Sequence, residues 1–235
     1  MLVSTNGSGA QIVGNTIAFN GTGAADEGAG VQIDSGDTSG NGNLVSQNSI
    51  FSNFGVGIEL GEGGETANQS VPTPGPNYSQ NFPILSSVTA AGGGTEIQGS
   101  LTSLASHRLT LEFFANAARD ESTFSDAITV NPGEFSEGQT YIGSLDVTTD
   151  ATGNATFTAN LPALPANEPF VTATATDITN TGDGPANNTS EFSPVVPLGG
   201  PKWGFVIMGR RGSVRAQGWP WLTRRFALPE SCKAV

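Results

Sequence analysis

The sequence predicts an all-β chain with two unlike halves: very short strands in tandem, then longer alternating strands. Three observations carry this reading. Gly, Ser, Thr and Asn crowd the chain, while charged residues make up 13 % of its 235 positions. That composition is too poor in strong helix formers for long helices. A strand-and-corner unit occurs twice near the start. Period-two hydrophobic runs separated by Gly- and Asn-rich turns fill the middle.

The repeat comes first in the chain. GNTIAFN at 14–20 matches QNSIFSN at 47–53, so Asn15, Ile17 and Asn20 recur as Asn48, Ile50 and Asn53 at an offset of 33. Ile12 and Val45 share that offset. GVQI at 30–33 matches GIEL at 57–60 at an offset of 27, because the intervening loop is six residues shorter in the second unit. Each piece has the length of a minimal strand. Asn at a corner adopts left-handed dihedrals and bonds its own backbone. Short strands turned by such corners, in tandem, describe a solenoid. Ile17, Ile33, Ile50 and Leu60 are expected to point inward, with Asn20 stacked near Asn53.

On Asn15, Ile17, Asn20, Gly30, Ile33, Asn48, Ile50, Asn53, Gly57 and Leu60, the segment resembles the right-handed parallel β-helix of the pectate-lyase-like superfamily. The resemblance covers about residues 5–65. It implies an architecture and no particular reaction. Two units are fewer than the three or more that a solenoid ordinarily needs. The expectation is therefore that 1–65 is a truncated solenoid end whose further coils lie upstream in a parent chain.

Residues 66–80 hold three prolines and no hydrophobic period, and read as a linker. Strands are expected at 83–90, 95–102, 108–116, 140–149, 154–161, 169–176 and 190–196, with 117–138 as a long insertion. Turn signals at 92–94, 150–154 and 181–188 separate them. Seven such strands predict an Ig-like antiparallel β-sandwich over 81–198. Leu111, Phe113, Ile142, Phe157, Val171, Ala173 and Phe192 are expected to share its core. QNFPIL (80–85), LEFFAN (111–116), GQTYIGS (138–144) and TTDATGNATFTANLP (148–162) resemble the bacterial Ig-like modules found behind β-helix domains. That resemblance implies an extracellular or cell-surface architectural module.

Charge narrows the function classes. There are 9 Lys+Arg against 21 Asp+Glu, and seven of the nine cations fall in 199–235 with all three Trp. A nucleic-acid partner needs a basic footprint that the remaining chain does not offer. No run of 18 apolar residues marks a transmembrane helix. The start lacks the pattern of a signal peptide. A single Cys allows no intrachain disulfide, and a single His allows no multi-His metal centre. The abrupt shift in composition marks 199–235 as a poorly ordered or out-of-frame tail; its paired Arg and Trp would otherwise suit an anionic membrane surface.

Candidate sites are few. Asp26, Glu27, Asp34, Asp37, Glu59, Glu62 and Glu65 would be positioned to line a saccharide cleft. Residues 1–106, however, contain no Lys, Arg or His to hold an acidic substrate, so solvated corner residues are the expectation. His107, beside Arg108, has no G-x-S-x-G partner turn and is expected to be exposed. Asp146, Asp150, Asp177 and Asp183 fall at turns. Asp177, Asp183, Asn187 and Asn188 would offer oxygen ligands to Ca²⁺, the one cofactor the sequence raises; ordinary Asx turns compete with that reading. Together these readings predict a non-enzymatic structural or adhesive module. Polysaccharide or other surface proteins are its expected partners. The rival readings are the end of a carbohydrate-active β-helix enzyme and a carbohydrate-binding module.

Overall fold

The short apolar pieces near the start become strands of two or three residues, five of them ended by a left-handed corner. In the computed structural model, residues 2–3, 8–21, 28–34, 41–61, 64–118, 136–179 and 186–199 are described. The first seven strands are β1 (Leu2–Val3), β2 (Gln11–Val13), β3 (Thr16–Ala18), β4 (Val31–Ile33), β5 (Leu44–Ser46), β6 (Ser49–Phe51) and β7 (Ile58–Leu60). Gly14 and Gln47 turn one corner at φ 69° and 53°; Phe19 and Ser52 turn the next at 58° and 55°. Equivalent positions of the repeat therefore hold equivalent backbone.

Strand pairing follows the repeat offset. β2 pairs with β5 and β3 with β6, in parallel, setting Ile12 opposite Val45 and Ile17 opposite Ile50. β4 lies between β1 and β7, also in parallel, with Ile33 opposite Leu60. Ile12, Ile17, Val31, Ile33, Val45, Ile50, Ile58 and Leu60 form one buried cluster. Ile50 is 1 % exposed. Ile50→Ala should cost about 2–5 kcal/mol, read from urea unfolding.

The second half is antiparallel. Its strands are β8 (Ile84–Ala91), β9 (Gly94–Thr102), β10 (Arg108–Asn116), β11 (Thr140–Thr148), β12 (Asn154–Pro162), β13 (Phe170–Asp177), β14 (Asn188–Thr189) and β15 (Val196–Pro197). One sheet has the order β12–β9–β8; the other has β11–β10–β13, with β14 and β15 both on β13. The sheets share a core that includes Leu85, Val88, Ile97, Leu101 and Phe157 from one side and Leu109, Leu111, Phe113, Val171 and Ala173 from the other. Ile142 packs against it partly buried. Among the described residues there is no α-helix, and no helix long and apolar enough to cross a membrane.

Two expectations are corrected. Phe192 leaves the sandwich core and joins the coil cluster with Phe114. The seventh strand, expected as 190–196, is split. Between β14 and β15 the main chain bends, and two serines keep it attached to β13. Ser190 donates its N–H to the Ala175 carbonyl at 2.9 Å while its Oγ accepts the Ala175 N–H at 2.9 Å. Ser193 does the same with Ala173 at 2.8 and 3.0 Å. Each hydroxyl replaces a ladder carbonyl, which frees Glu191 and Phe192 to reach the coils. Within 66–80 and just after it, amide side chains bond to neighbouring backbone. Asn68 exchanges two hydrogen bonds with the backbone of Phe82, and Asn81 exchanges two with that of Gln69. The proline-rich segment is held by amide side chains in place of a ladder. Residues 119–135 of the long insertion and the tail from 200 lie outside the described residues.

Candidate functional site at the end of the coil stack

The parallel pairs β2–β5, β3–β6 and β4–β7 leave a row of backbone amides on β5, β6 and β7 with no further parallel strand to bond. Left open, such an edge recruits other chains; left buried and unpaired, each amide is costly. Here side chains from the second half meet the last coil. The Gly42 N–H donates to Asn188 Oδ1 at 2.7 Å, and the Val45 N–H to Thr189 Oγ1 at 3.0 Å. The Gln47 N–H donates to Glu112 Oε2 at 2.9 Å, beside a 2.6 Å bond from Ser46 Oγ to Glu112 Oε1. The Ile50 N–H reaches the Gly138 carbonyl at 2.7 Å. Glu191 closes the last strand, with Oε1 on the Leu60 N–H at 2.9 Å and Oε2 on the Thr66 N–H at 2.8 Å.

Two of these contacts copy the repeat. Within the stack, Asn53 Oδ1 accepts both the N–H and the Nδ2 of Asn20, at 3.1 and 2.7 Å. One step on, Glu137 Oε1 accepts both the N–H and the Nδ2 of Asn53, at 3.0 and 2.8 Å. Asn43 Oδ1 accepts the Ala10 N–H at 2.9 Å, and Asn77 Oδ1 accepts the Asn43 N–H at 3.0 Å. Glu137 and Asn77 therefore stand where the asparagines of a next coil would.

The apolar seal is Phe192, edge-on to Phe114 with centroids 5.3 Å apart. A Cβ on Gly57 would come within 2.8 Å of the Phe192 ring, and one on Gly138 within 2.5 Å. Glycine is the residue that lets backbone come this close to the ring at both positions. The acids of this seam are deeply placed. Burial pushes the Glu191 carboxyl up to about 8, against the lowering pull of the Leu60 and Thr66 amides. Burial also raises Glu112, again against its hydrogen bonds from Ser46 and Gln47. Each acid keeps two donors, but the lost hydration outweighs them.

The residues singled out in the sequence are dispersed. Glu59, expected as a solvated corner, is buried and its Oε1 accepts the Gly64 N–H at 2.9 Å. Asp34 and Glu65 are half-buried; Asp26, Glu27, Asp37 and Glu62 lie outside the described residues. His107, expected exposed, is 4 % exposed, with Nδ1 2.6 Å from Asp177 Oδ2. Arg108 faces the other way, to Asp146 at the surface, as alternation at a strand start requires. Asp177 Oδ1 accepts the Thr179 N–H. With its other oxygen on His107, and the Asn188 amide on Gly42, two of the four Ca²⁺ candidates are engaged by protein groups. Asn187 occupies a left-handed turn at φ 71°, and Asp183 lies outside the described residues. Among the described residues no group of three or more His, Cys, Asp or Glu is arranged to hold a metal. Asp150 serves as an Asx turn, accepting from Thr152 and Asn154, which lowers its pKa.

Sequence reasoning missed Asn77, Glu112, Glu137, Thr189 and Glu191. One signal was present: Phe113 and Phe114 are adjacent in β10, so both faces of that strand are apolar and both are covered. No family model matches the chain, and no curated protein is significantly similar to it.

Proposed function

We propose that the chain is a non-enzymatic structural module of an extracellular or cell-surface protein. In this reading its first part is the end of a right-handed parallel β-helix, and its Ig-like sandwich is the cap that terminates it. The observation that carries the proposal is the substitution of Glu137 and Asn77 for the next coil's asparagines. A cap of this kind lets a long solenoid end without exposing a pairing edge, which suits display, spacing or adhesion. The absence of Lys, Arg and His from residues 1–106 adds support, because subsites for acidic glycans need complementary charge and preorganised donors.

The test is direct. Full-length protein incubated with pectate, alginate and neutral glycans should release no reducing ends and no unsaturated uronate. Turnover that survives repurification and disappears in Asp34→Asn or Glu59→Gln would replace this reading with a carbohydrate-active enzyme. Melting the same protein over a Ca²⁺ series tests the cation reading of Asp177, Asp183, Asn187 and Asn188. A melting temperature that climbs with ion concentration is its signature.

A further inference from the structure

The asparagine ladder has a direction. Each asparagine of the second coil reaches back toward the first. Asn48 Oδ1 accepts the Asn15 N–H at 2.9 Å while its Nδ2 donates to the Ile12 carbonyl at 2.7 Å. Asn53 does the same with the Asn20 N–H and the Ile17 carbonyl. The side chains of Asn15 and Asn20 occupy the same positions one coil earlier. Their Nδ2 groups donate to Asn48 and Asn53. Their Oδ1 atoms accept nothing among the described residues, and Asn15 and Thr16 are exposed.

We infer that the face carrying Asn15, Asn20 and the free edges of β2 and β3 is a docking surface for one more coil of the same repeat, joined ahead of it in the same polypeptide. This rests on the structural reading above and gives it a register. The occupant places a backbone N–H 33 residues before Asn15 on Asn15 Oδ1, and another 33 before Asn20 on Asn20 Oδ1. Continuity with the Asn15–Asn48 and Asn20–Asn53 contacts argues for this occupant. A second copy of the chain fits less well. The opposite end of the stack is already closed by Glu112, Glu137 and Glu191, so two copies meet only head to head. A one-way ladder then sets acceptors against acceptors.

The experiment compares the chain with a variant in which residues 8–40 are duplicated in tandem. The duplication should raise the melting temperature. It should also slow amide exchange at Thr16 and Ala18 of the original copy, whose N–H groups alternate with those bonded to the second repeat, by at least about tenfold. Asn15→Ala with Asn20→Ala should lower the melting temperature in the duplicated chain by roughly twice as much as in the original, the excess being the coupling to the new coil. Equal losses in the two backgrounds would overturn the inference. So would a dimer of the original chain whose exchange protection maps to Gln11–Ala18. If exchange at Arg108–Asn116 shows that the duplicated chain has not folded, a synthetic peptide of sequence 8–40 added to the original chain decides instead. Protection of Thr16 and Ala18 is then expected, and its absence counts against the site. Polysaccharide turnover would remove the structural reading while leaving this melting comparison intact, so the two failures are distinguishable.

Discussion

The melting temperature should be highest near pH 4.5 and fall steadily as the pH rises to 8. Burial pushes the Glu191 carboxyl up to about 8 in the folded protein, well above the ordinary glutamate value near 4.5. A proton bound more tightly by the folded state stabilises that state. The contribution is complete below about pH 4.5, decays through the interval, and is gone above the folded value. The difference corresponds to roughly 3–6 kcal/mol. Glu112, also raised by burial, pushes in the same direction. Glu65 adds repulsion to an ionised Glu191. Asp146 and Asp150 act with the opposite sign. Hydrogen bonds, from Thr110 first in the case of Asp146, lower both pKa values. Their contribution is present above about pH 4 and lost below it, which sets the acid limit without touching the interval that Glu191 governs. Thermal unfolding followed by circular dichroism at half-unit pH steps checks this. Glu191→Gln should flatten the profile between pH 5 and 8. A wild-type profile already flat there would show that Glu191 ionises freely in the folded state.

Phe192→Ala should be the most damaging single truncation in the seam, costing about 3–5 kcal/mol in urea unfolding. The ring is 4 % exposed and lies in the coil cluster, edge-on to Phe114, a geometry that adds about 0.5–1.5 kcal/mol beyond area. Removing it leaves a void against Gly57 and Gly138, whose backbone packs close to the ring. The glycines sharpen the test. Gly138→Ala alone drives a methyl into the Phe192 and Phe114 rings and should destabilise by about 1–3 kcal/mol. In the Phe192→Ala background only the Phe114 contact remains to oppose that methyl, so the double variant should cost less than the sum. Strict additivity would mean that the glycine and the ring are not in contact.

How much of this was legible depended on whether a residue obeys a period. The coil strands were readable because Ile17 and Ile50 repeat at 33 and corner asparagines repeat with them. The sandwich strands were readable because Leu109, Leu111 and Phe113 alternate. Phe192 was misplaced because alternation assigns a side chain to a face only while the strand stays regular. Ser190 and Ser193 let the strand bend while keeping its bonds. His107 was expected at the surface because Arg108 is, although neighbours on a strand point opposite ways. The seam was illegible for a deeper reason. Glu112, Glu137 and Glu191 lie in an acidic chain where carboxylates are ordinary surface groups, and nothing local announces that each faces backbone amides far away in sequence.

The bonds that close the coil stack have a consequence in time. Gly42 and Asn188 are 146 residues apart, Val45 and Thr189 are 144, and Leu60 and Glu191 are 131. Closing loops of that length is entropically expensive before any contact repays it, and chains dominated by such pairs fold slowly. During synthesis the coils emerge first, yet their last edge stays uncovered until residues near 191 have left the ribosome. The most vulnerable interval in the life of this chain is thus the wait between making its repeat and making the strand that seals it.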